Sequence, residues 1–401
     1  MIGPVAGGHA SLIAYGHAKV AVIARLTEGI VMNRRIRAVT LAATLALGAG
    51  GVRAQDIPIA VVGPVTGSNA ALGEQMTRGA KMAVADLNAK GGVLGKKLTL
   101  IIADDACDPK QAVAAANDVV GKKVVFVAGH YCSSSSIPAS AVYNEAGVLQ
   151  MTPASTNPAL TDEAAKKGWT NVFRSCGRDD VQGGIAGKYL ADHFKGKRVA
   201  IIHDKTAYGK GIADETKKAM NAAGLSETMY EAITQGDKDF SALISKMKQA
   251  KIDAIYFGGY QTEAGLIVRQ GRDQGLTAQF IGADALVTEE FWKITGAAGE
   301  GTLMTFPPDP RNVSGAKAVV DRFMAEGYNP EGYTLYTYAA IQAFAAAASK
   351  AGSVKVDDLS KALKSMTVNT VVGPLSWDKK GDVTDPKYVF YVWKSGKYAE
   401  M

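Results

Sequence analysis

Residues 124–136 read VVFVAGHYCSSSS and give the clearest indication of the fold class. The segment begins with five apolar residues, 124–128, which are typical of a buried strand, and runs through His130, Tyr131 and Cys132 into serines that open a helix. A buried strand followed directly by a helix is the repeating unit of α/β proteins. The start of a helix also indicates an anion site, because its free N–H groups carry partial positive charge.

The same alternation of short apolar runs and helical patterns extends in both directions. Strands are predicted at residues 57–62, 98–103, 124–128, 148–151, 172–174, 199–203, 254–257 and 280–282, with further strands and turns within 370–391. Long helices are predicted at residues 73–89 and 332–351, and Asp108 before Pro109 predicts another helix start. This rhythm predicts parallel sheets with helices on both faces, and the length suggests two lobes.

The N-terminal region has the layout of an export signal. Residues 32–54 read MNRRIRAVTLAATLALGAGGVRA, with three arginines before an uncharged stretch too short to span a bilayer. We therefore expect residues 1–31 to be an over-extended start, residues 32–54 to be the signal peptide, and the mature chain to begin at Gln55. This predicts a periplasmic location.

Charge and missing motifs exclude several function classes. The whole chain carries a net +7, but residues 1–54 hold six Lys or Arg and one Glu, so the remaining 39 basic and 37 acidic side chains nearly balance. This balance gives no reason to expect nucleic acid as a partner. The sequence has no phosphate-binding glycine motif, H-E-x-x-H or C-x-x-C, so neither a cofactor nor a metal is expected. Beyond the export signal no stretch is predicted to span a membrane, and we do not expect an enzyme.

The chain has three cysteines, Cys107, Cys132 and Cys176. Cys107 and Cys132 flank one βα unit and are a plausible disulfide in an oxidising compartment, which leaves Cys176 over. Three unpaired, buried thiols are the alternative.

Candidate site residues follow the predicted strands. Ser133 could add a hydroxyl donor to the anion site, although a flexible serine-rich linker or a nucleophile activated by His130 are alternatives. In the loop TPASTNP at residues 152–158, Thr156 offers a second hydroxyl and Ala154 a carbonyl acceptor, or the loop is an ordinary turn.

Two later strand ends carry acidic residues. His203 and Asp204 could form a metal or acid–base pair, but we favour a strand end and a helix cap. Asp284 suits an ammonium group, although a solvated loop carboxylate fits the spacing equally well.

These segments together make the mature chain resemble the periplasmic leucine/isoleucine/valine-binding proteins of branched-chain amino-acid ABC transporters. The segments that carry the resemblance are IAVVGPVTG (59–67), LNAKGG (87–92), ADDACDPKQAV (103–113), HYCSSSS (130–136), TPASTNPALT (152–161), AIIHDKTAYGKG (200–211), DFSALI (239–244), YFGGY (256–260) and NTVVGPLSWDKKGD (369–382).

The resemblance implies a role for individual residues. Cys107 and Cys132 match the family's disulfide pair. Ser133 and Thr156 match hydroxyls that hold the ligand carboxylate, while the Ala154 carbonyl and Thr156 match acceptors for the ammonium group. Further ligand contacts are implied for Tyr131, Cys132, Tyr208, Tyr260, Tyr333 and for Asp284, which stands where the family usually has Glu. Leu72 stands where members often have an aromatic residue, so strict leucine specificity is left open.

The family fold, a type I periplasmic binding protein, implies two Rossmann-like lobes joined by a three-strand hinge. Lobe 1 is expected at residues 55–177 plus 307–382, and lobe 2 at 178–306 plus 383–401. The expected partners are a branched-chain amino acid and a transporter permease, with the chain a monomer. The alternatives are the same fold binding another amino acid, an amide or a small aromatic acid; a sensor domain; and a secreted α/β hydrolase.

Overall fold

The computed structural model describes residues 55–401, so the predicted signal peptide and residues 1–31 lie outside the described part. Its strands are β1 (Ile57–Gly63), β2 (Leu98–Asp104), β3 (Phe126–Gly129), β4 (Leu149–Thr152), β5 (Val172–Arg174), β6 (Val199–His203), β7 (Met229–Ala232), β8 (Ala254–Gly258), β9 (Gln279–Gly282), β10 (Leu303–Phe306), β11 (Val368–Thr370), β12 (Gly373–Leu375), β13 (Val389–Lys394) and β14 (Lys397–Glu400). Its α-helices are α1 (Ala70–Ala89), α2 (Pro109–Gly121), α3 (Ser133–Glu145), α4 (Ala159–Lys166), α5 (Asp179–His193), α6 (Ala207–Ala222), α7 (Ser241–Gln249), α8 (Gln261–Asp273), α9 (Glu289–Thr295), α10 (Lys317–Ala325), α11 (Thr334–Ala351) and α12 (Val356–Leu363). Within residues 55–401 no helix combines the length and the apolar character needed to cross a membrane.

The first sheet contains five parallel strands in the order β2-β1-β3-β4-β5. Its register brings Ile59 beside Leu100 on one side and Phe126 on the other. The inner strands β1, β3 and β4 are almost wholly buried, as expected where helices cover both faces of a parallel sheet. The predicted strands match these within two residues.

The second sheet contains seven strands in the order β14-β13-β10-β9-β8-β6-β7. Strands β6 to β10 are parallel, as predicted, whereas β13 runs antiparallel to β10 and pairs with β14 in a hairpin at the edge of the sheet. Strands β7, β10 and β14 were not predicted. The residues of β7 and β14 are half-exposed or exposed and give no apolar run, whereas β10 was missed although its four residues are buried.

Helix α11 belongs to the layer that covers the first sheet, although it lies far from that sheet in the sequence. Its Phe344 stacks on Phe126 of β3 with ring centroids 4.6 Å apart. Gly79 of α1 lies so close to α11 that a Cβ there would collide with the carbonyl oxygen of Thr334. The residue before α11, Tyr333, is therefore held on the side of the first sheet.

The chain passes between the two sheets three times: after β5, after β10, and between β12 and β13. These crossings are tied to one another. The fully buried Arg174 donates through Nε to Oδ1 of Asp382 at 2.8 Å, and Trp377 Nε1 donates to the carbonyl of Arg174 at 2.6 Å. The Tyr391 hydroxyl donates to the carbonyl of Pro307 at 2.8 Å. The connections between the sheets thus lie side by side.

Candidate functional site

The segments that follow β3, β4, β6, β8 and β9 meet at one small, buried cavity. Carboxyl ends of parallel strands lie at the same edge of a sheet, which is where α/β proteins bind ligands. The residues that line the cavity are Tyr131, Ser133, Ala154, Tyr208, Tyr260, Asp284 and Ala285. All but Ala285 are residues that the sequence analysis had named.

The start of α3 borders this cavity. Cys132 is the N-cap residue and makes no side-chain capping bond, and its carbonyl accepts from the N–H groups of Ser135 and Ser136, each at 2.9 Å. The N–H of Ser133 precedes these bonds and has no partner within the helix. The Ser133 hydroxyl accepts from the N–H of Asn157 at 3.2 Å, so its own proton is free to donate elsewhere. The arrangement offers donors to an anion.

The loop after β4 is fixed by buried hydroxyls. Thr152 Oγ1 donates to the carbonyl of His130 at 2.6 Å and accepts from the N–H of Ser155 at 2.8 Å, while Ser155 Oγ lies 2.6 Å from Ser136 Oγ. Thr156 is fully buried, and its hydroxyl completes no hydrogen bond of normal geometry within residues 55–401. A rigid loop with an unused hydroxyl is unlike the ordinary solvated turn considered as the alternative.

Asp284 follows β9 and is 3% exposed, so it is not a solvated loop residue. Its Oδ1 accepts from the Tyr208 hydroxyl at 2.8 Å, and its Oδ2 accepts from the Tyr333 hydroxyl at 2.7 Å. Burial raises the pKa of Asp284, and the two tyrosine hydrogen bonds act against that rise. The carboxyl is therefore a buried acceptor held in place by two phenols.

Tyr131, Tyr208 and Tyr260 line the cavity, and a fourth tyrosine, Tyr333, contacts two of the lining residues, Tyr131 and Asp284. The rings of Tyr131 and Tyr333 meet edge to face with centroids 5.6 Å apart, and those of Tyr208 and Tyr260 lie 5.1 Å apart. Burial raises the pKa of all four hydroxyls well above the usual value, so they stay protonated and can donate. The tyrosine rings therefore present a mostly apolar surface whose only polar groups are the hydroxyls.

Four of the residues named from the sequence do not line the cavity. They are Leu72, Cys132, Thr156 and Tyr333. Leu72 is buried in α1, and Tyr333 reaches the cavity through its bond to Asp284.

The predicted disulfide is present. Cys107 and Cys132 are bonded with their Cα atoms 5.5 Å apart, which ties the N-cap of α3 to the loop after β2. Cys176 is free and buried, and burial raises the pKa of its thiol. The alternative of three unpaired thiols is therefore wrong.

His130 does not engage Ser133. Its Nδ1 lies 2.6 Å from Asp105 Oδ2, and its Nε2 lies 2.8 Å from the hydroxyl of Tyr143, all fully buried. Both ring nitrogens are thus occupied, and the geometry does not support Ser133 as a nucleophile activated by His130.

His203 and Asp204 shape a turn. The N–H of Lys205 donates to His203 Nδ1 at 3.1 Å, and the N–H of Thr206 donates to Asp204 Oδ1 at 2.9 Å. Burial lowers the pKa of His203 and raises that of Asp204 to about 6. Within residues 55–401 no group of three or more His, Cys, Asp or Glu side chains could hold a metal ion. His203 ends its strand as predicted, but the N-cap residue of α6 is Thr206, whose Oγ1 accepts from the N–H of Gly209 at 2.9 Å, so the prediction of Asp204 as the cap is wrong.

Gln75 is a contact residue that the sequence analysis missed. Its Oε1 accepts from the N–H of Tyr333 at 2.9 Å, and its Nε2 donates to the carbonyl of Val287 at 3.3 Å. The amide therefore joins α1 to the segment that follows Asp284. An uncharged polar residue on the buried face beside Met76 was the only available signal.

Glu331 makes a second connection of this kind. Its carboxylate accepts from the Thr288 hydroxyl and from the N–H of Glu289, both at 2.9 Å, at the start of α9. Burial raises the pKa of Glu331 to about 7. No local pattern in the sequence distinguishes Glu331 from a surface acid.

The cavity lining contains one carboxyl and no lysine or arginine. On one side Asp284 can pair with a cationic group, and on another the start of α3 at Ser133 can hold an anionic one. Tyrosine rings cover the space between them. This arrangement is suited to a small molecule that carries both charges.

Comparisons with known proteins agree with this geometry. A sequence model of the family described as "Periplasmic binding protein" matches residues 56–397. The chain is 49% identical over 365 residues to "Amino acid binding protein" of Pseudomonas aeruginosa, covering 90% of this chain and 96% of that protein. It is 49% identical over 359 residues to "Leu/Ile/Val-binding protein homolog 1" of Brucella suis, covering 89% and 95%.

Solved structures give the same picture. A leucine-binding protein of Thermotoga maritima superimposes with a TM-score of 0.79 at 28% identity, covering 86% of this chain and 97% of that one. A branched-chain amino acid transporter substrate-binding protein of Streptococcus pneumoniae, in complex with isoleucine, also gives 0.79, at 27% identity and 86% and 99% coverage. The fold is therefore that of these binding proteins.

Proposed function

We propose, from the premise that the chain belongs to the periplasmic binding protein family, that it captures leucine, isoleucine or valine and delivers it to the permease of an ABC importer. The observation that carries the proposal is the presence of Asp284 and the start of α3 at one buried cavity. An amino acid is a zwitterion, and burying either charge unpaired costs several kcal/mol. Both charges need a partner, and this site offers one for each.

The ligand carboxylate is assigned to the start of α3. The N–H of Ser133 and its hydroxyl are donors there, and Ser133 directs no proton to its neighbour Asn157, from which it accepts. A helix N-terminus stabilises a carboxylate through its partial positive charge.

The ligand ammonium is assigned to Asp284, the carbonyl of Ala154 and the hydroxyl of Thr156. Asp284 is buried and negatively charged when ionised, and pairing with an ammonium group favours that ionised form. An ammonium group has three N–H donors, which matches these three acceptors.

The apolar side chain of the ligand is assigned to Tyr131 and Tyr260, which line the cavity, and to the buried Cys132 and Leu72, which do not line it in this structure but which we expect to contact the ligand. Leu72 is smaller than an aromatic residue and leaves more room for the ligand. A ligand with a larger or more polar side chain is therefore the main alternative. Another amino acid, an amide or a small aromatic acid would use the same fold.

We also propose that the two sheets are the cores of two lobes that close on the ligand. Lobe 1 comprises residues 55–177 and 307–382, and lobe 2 comprises 178–306 and 383–401. The three adjacent crossings support a hinge between them. The bond from Tyr333 to Asp284 crosses from one side to the other, so it can form only when the lobes are closed. Differential contacts of this kind allow a ligand to shift an open–closed equilibrium.

The mature protein, from Gln55 onward, is assigned to the periplasm and acts as a monomer that docks on its permease. The export signal at residues 32–54 and the family support this location. The three-arginine segment and uncharged stretch of that signal fit secretion through the inner membrane.

A ligand panel tests the proposal. The chain from Gln55 is purified after denaturation and refolding, and its melting temperature is measured with each amino acid, with amides and with small aromatic acids. We expect leucine, isoleucine and valine to raise it most, because a ligand that binds only the folded state stabilises it. A rise with aromatic acids alone, no rise at all, or turnover of ester substrates would contradict the proposal.

A further inference from the structure

Asp179 is a fully buried carboxyl whose two oxygens complete no hydrogen bond of normal geometry within residues 55–401. It is the first residue of α5, directly after the first crossing between the sheets. Its neighbour Asp180 is exposed and pairs with Arg178 at 2.9 Å, so Asp180 is the ordinary surface acid at this helix start. An unpaired buried carboxyl is costly, so a group that can donate a hydrogen bond to it is expected close by.

The surroundings of Asp179 connect it to the cavity. Its N–H donates to the carbonyl of Thr156 at 3.0 Å, so the two residues are joined through their backbones. Burial raises the pKa of Asp179, whereas the nearby Thr156 hydroxyl lowers it and the charge of Asp284 raises it further. Asp179 in turn raises the pKa of Tyr208, after the larger effects of burial and Asp284. Asp179 and Asp284 therefore act on the same tyrosine of the cavity wall.

Space for this carboxyl depends on a glycine. A Cβ at Gly211 of α6 would lie 3.2 Å from Asp179 Oδ2 and would collide with the side-chain amide of Asn157. The backbone of α6 thus approaches closely enough to enclose the carboxyl but leaves it without a donor.

We propose that Asp179 is a positioning residue of the ligand site: its carboxylate accepts a hydrogen bond from the Thr156 hydroxyl, so that the oxygen lone pairs of Thr156 face the ligand ammonium. A threonine hydroxyl has one proton and two lone pairs, so it cannot donate to a ligand carboxylate while it donates to Asp179. The carboxylate of the ligand is then held by the start of α3 alone. This inference rests on the proposed function and refines the role of Thr156.

The test compares Asp179→Asn with Asp180→Asn, using calorimetry with L-leucine and thermal unfolding without ligand. We expect Asp179→Asn to weaken leucine binding at least about tenfold, because a charge-assisted hydrogen bond is lost. We also expect its ligand-free melting temperature to be unchanged or higher, because an unpaired buried carboxyl has been replaced by a neutral amide. If Asp179 had a purely structural role, Asp179→Asn would lower the leucine affinity and the melting temperature together. Asp180→Asn should match the wild type in affinity.

A double-mutant cycle tests whether Asp179 acts on the ligand through the Thr156 hydroxyl. In a Thr156→Val background, Asp179→Asn should weaken leucine binding by less than about twofold, because the hydroxyl that it positions is gone. The inference would be overturned if Asp179→Asn weakened leucine binding by the same factor with and without Thr156→Val, or if Asp179→Asn alone bound leucine as the wild type does. Either result would leave the proposed function intact. A wild-type chain that binds no amino acid would overturn both. If Asp179→Asn does not fold, Asp179→Ser replaces it with the same expectations for affinity.

Discussion

The hydroxyl of Tyr333 donates a 2.7 Å hydrogen bond to Oδ2 of Asp284. Tyr333 directly precedes α11, which packs with the first sheet, whereas Asp284 lies two residues after the end of β9 of the second sheet. The other oxygen of the same carboxyl accepts from Tyr208, which follows β6 of the second sheet. The carboxyl of Asp284 therefore joins the two halves of the molecule through its bond with Tyr333. Its bond with Tyr208 holds it within its own half.

This asymmetry predicts different effects for two similar substitutions. Tyr333→Phe removes the bond between the halves and should shift the ligand-free protein toward open conformations. Tyr208→Phe removes a bond within one half and should leave the opening unchanged. Pulsed electron paramagnetic resonance between labels at the exposed positions Lys122 and Lys218 measures the distance between the halves. Longer distances in Tyr333→Phe alone are expected, and identical distributions for the two variants would contradict the assignment.

Asp284→Asn should weaken leucine binding at least about tenfold, because a neutral amide lacks the negative charge that pairs with the ammonium ion. The fold should survive, since the amide can still accept one tyrosine hydrogen bond and no longer has to be ionised while buried. Isothermal titration calorimetry gives the affinity. Asp273→Asn, an exposed acid at the end of α8, is the matched control and should bind as the wild type does. Unchanged affinity in Asp284→Asn would remove this residue from the site.

Much of the fold follows from local patterns in the sequence. The apolar runs of β1, β3, β6 and β8 are wholly or almost wholly buried, so each gives a clear strand signal. The edge strand β7 and the hairpin of β13 and β14 are half-exposed, and their direction depends on pairing with distant strands. Such pairings leave no mark in a local window.

The candidate site divides in the same way. Ser133, Ala154 and Tyr260 follow predicted strands, and parallel strands bring their carboxyl ends together. Spacing alone could not decide whether Asp284 is solvated, because its burial depends on tyrosines from other segments. The contact between Gln75 and Val287 joins residues 212 positions apart, so it depends on how the two halves pack. The resemblance to a family named the tyrosines but not these connections.

Glu331→Gln should change how stability depends on pH. Burial raises the pKa of Glu331 from 4.5 to about 7, so over this range the folded protein holds a proton that the unfolded chain releases. Glu331 therefore lowers the free energy of unfolding progressively as pH rises from 4.5 to about 7, by at most roughly 3 kcal/mol, and has no further effect above that.

The glutamine variant lacks this titration. Denaturant unfolding between about pH 5 and pH 8 should show a shallower fall in its free energy of unfolding than in the wild type. Parallel curves for the two proteins would show that Glu331 ionises normally in the folded state. Glu326→Gln, which changes an exposed acid directly after α10, is the control and should follow the wild type.

Reduction of the Cys107–Cys132 bond should lower the melting temperature. The two cysteines are 25 residues apart, and closing a loop of that size stabilises a protein by roughly 3 kcal/mol through the entropy of the unfolded chain. Melting is compared with and without reductant, after thiol titration has shown that the pair was oxidised. A Cys176→Ser variant should respond to reductant as the wild type does, since that thiol is free. Equal melting temperatures would show that the bond contributes no stability.

Asp382→Asn should lower the free energy of unfolding, because Asp382 holds the crossings between the sheets together. The carboxylate accepts from Arg174 Nε at 2.8 Å, from Arg178 Nη1 at 2.7 Å and from Thr161 Oγ1 at 2.8 Å. Burial acts to raise the pKa of Asp382, but the two arginines hold it below its usual value. Because Arg174 is fully buried, removing its counter-charge should cost about 3–5 kcal/mol of unfolding free energy.

The sign of the pH dependence shows whether Asp382 stabilises the fold through its charge or only through packing. A carboxyl with a lowered pKa stabilises the folded state above its unfolded pKa and loses that contribution as pH falls through the folded value. The difference between wild type and Asp382→Asn should therefore shrink in acid, measured by denaturant unfolding from neutral pH downward. Asp385→Asn, whose side chain is 76% exposed on the same segment, should match the wild type throughout. A difference that stays constant in acid would indicate that the charge of Asp382 does not hold the crossings together.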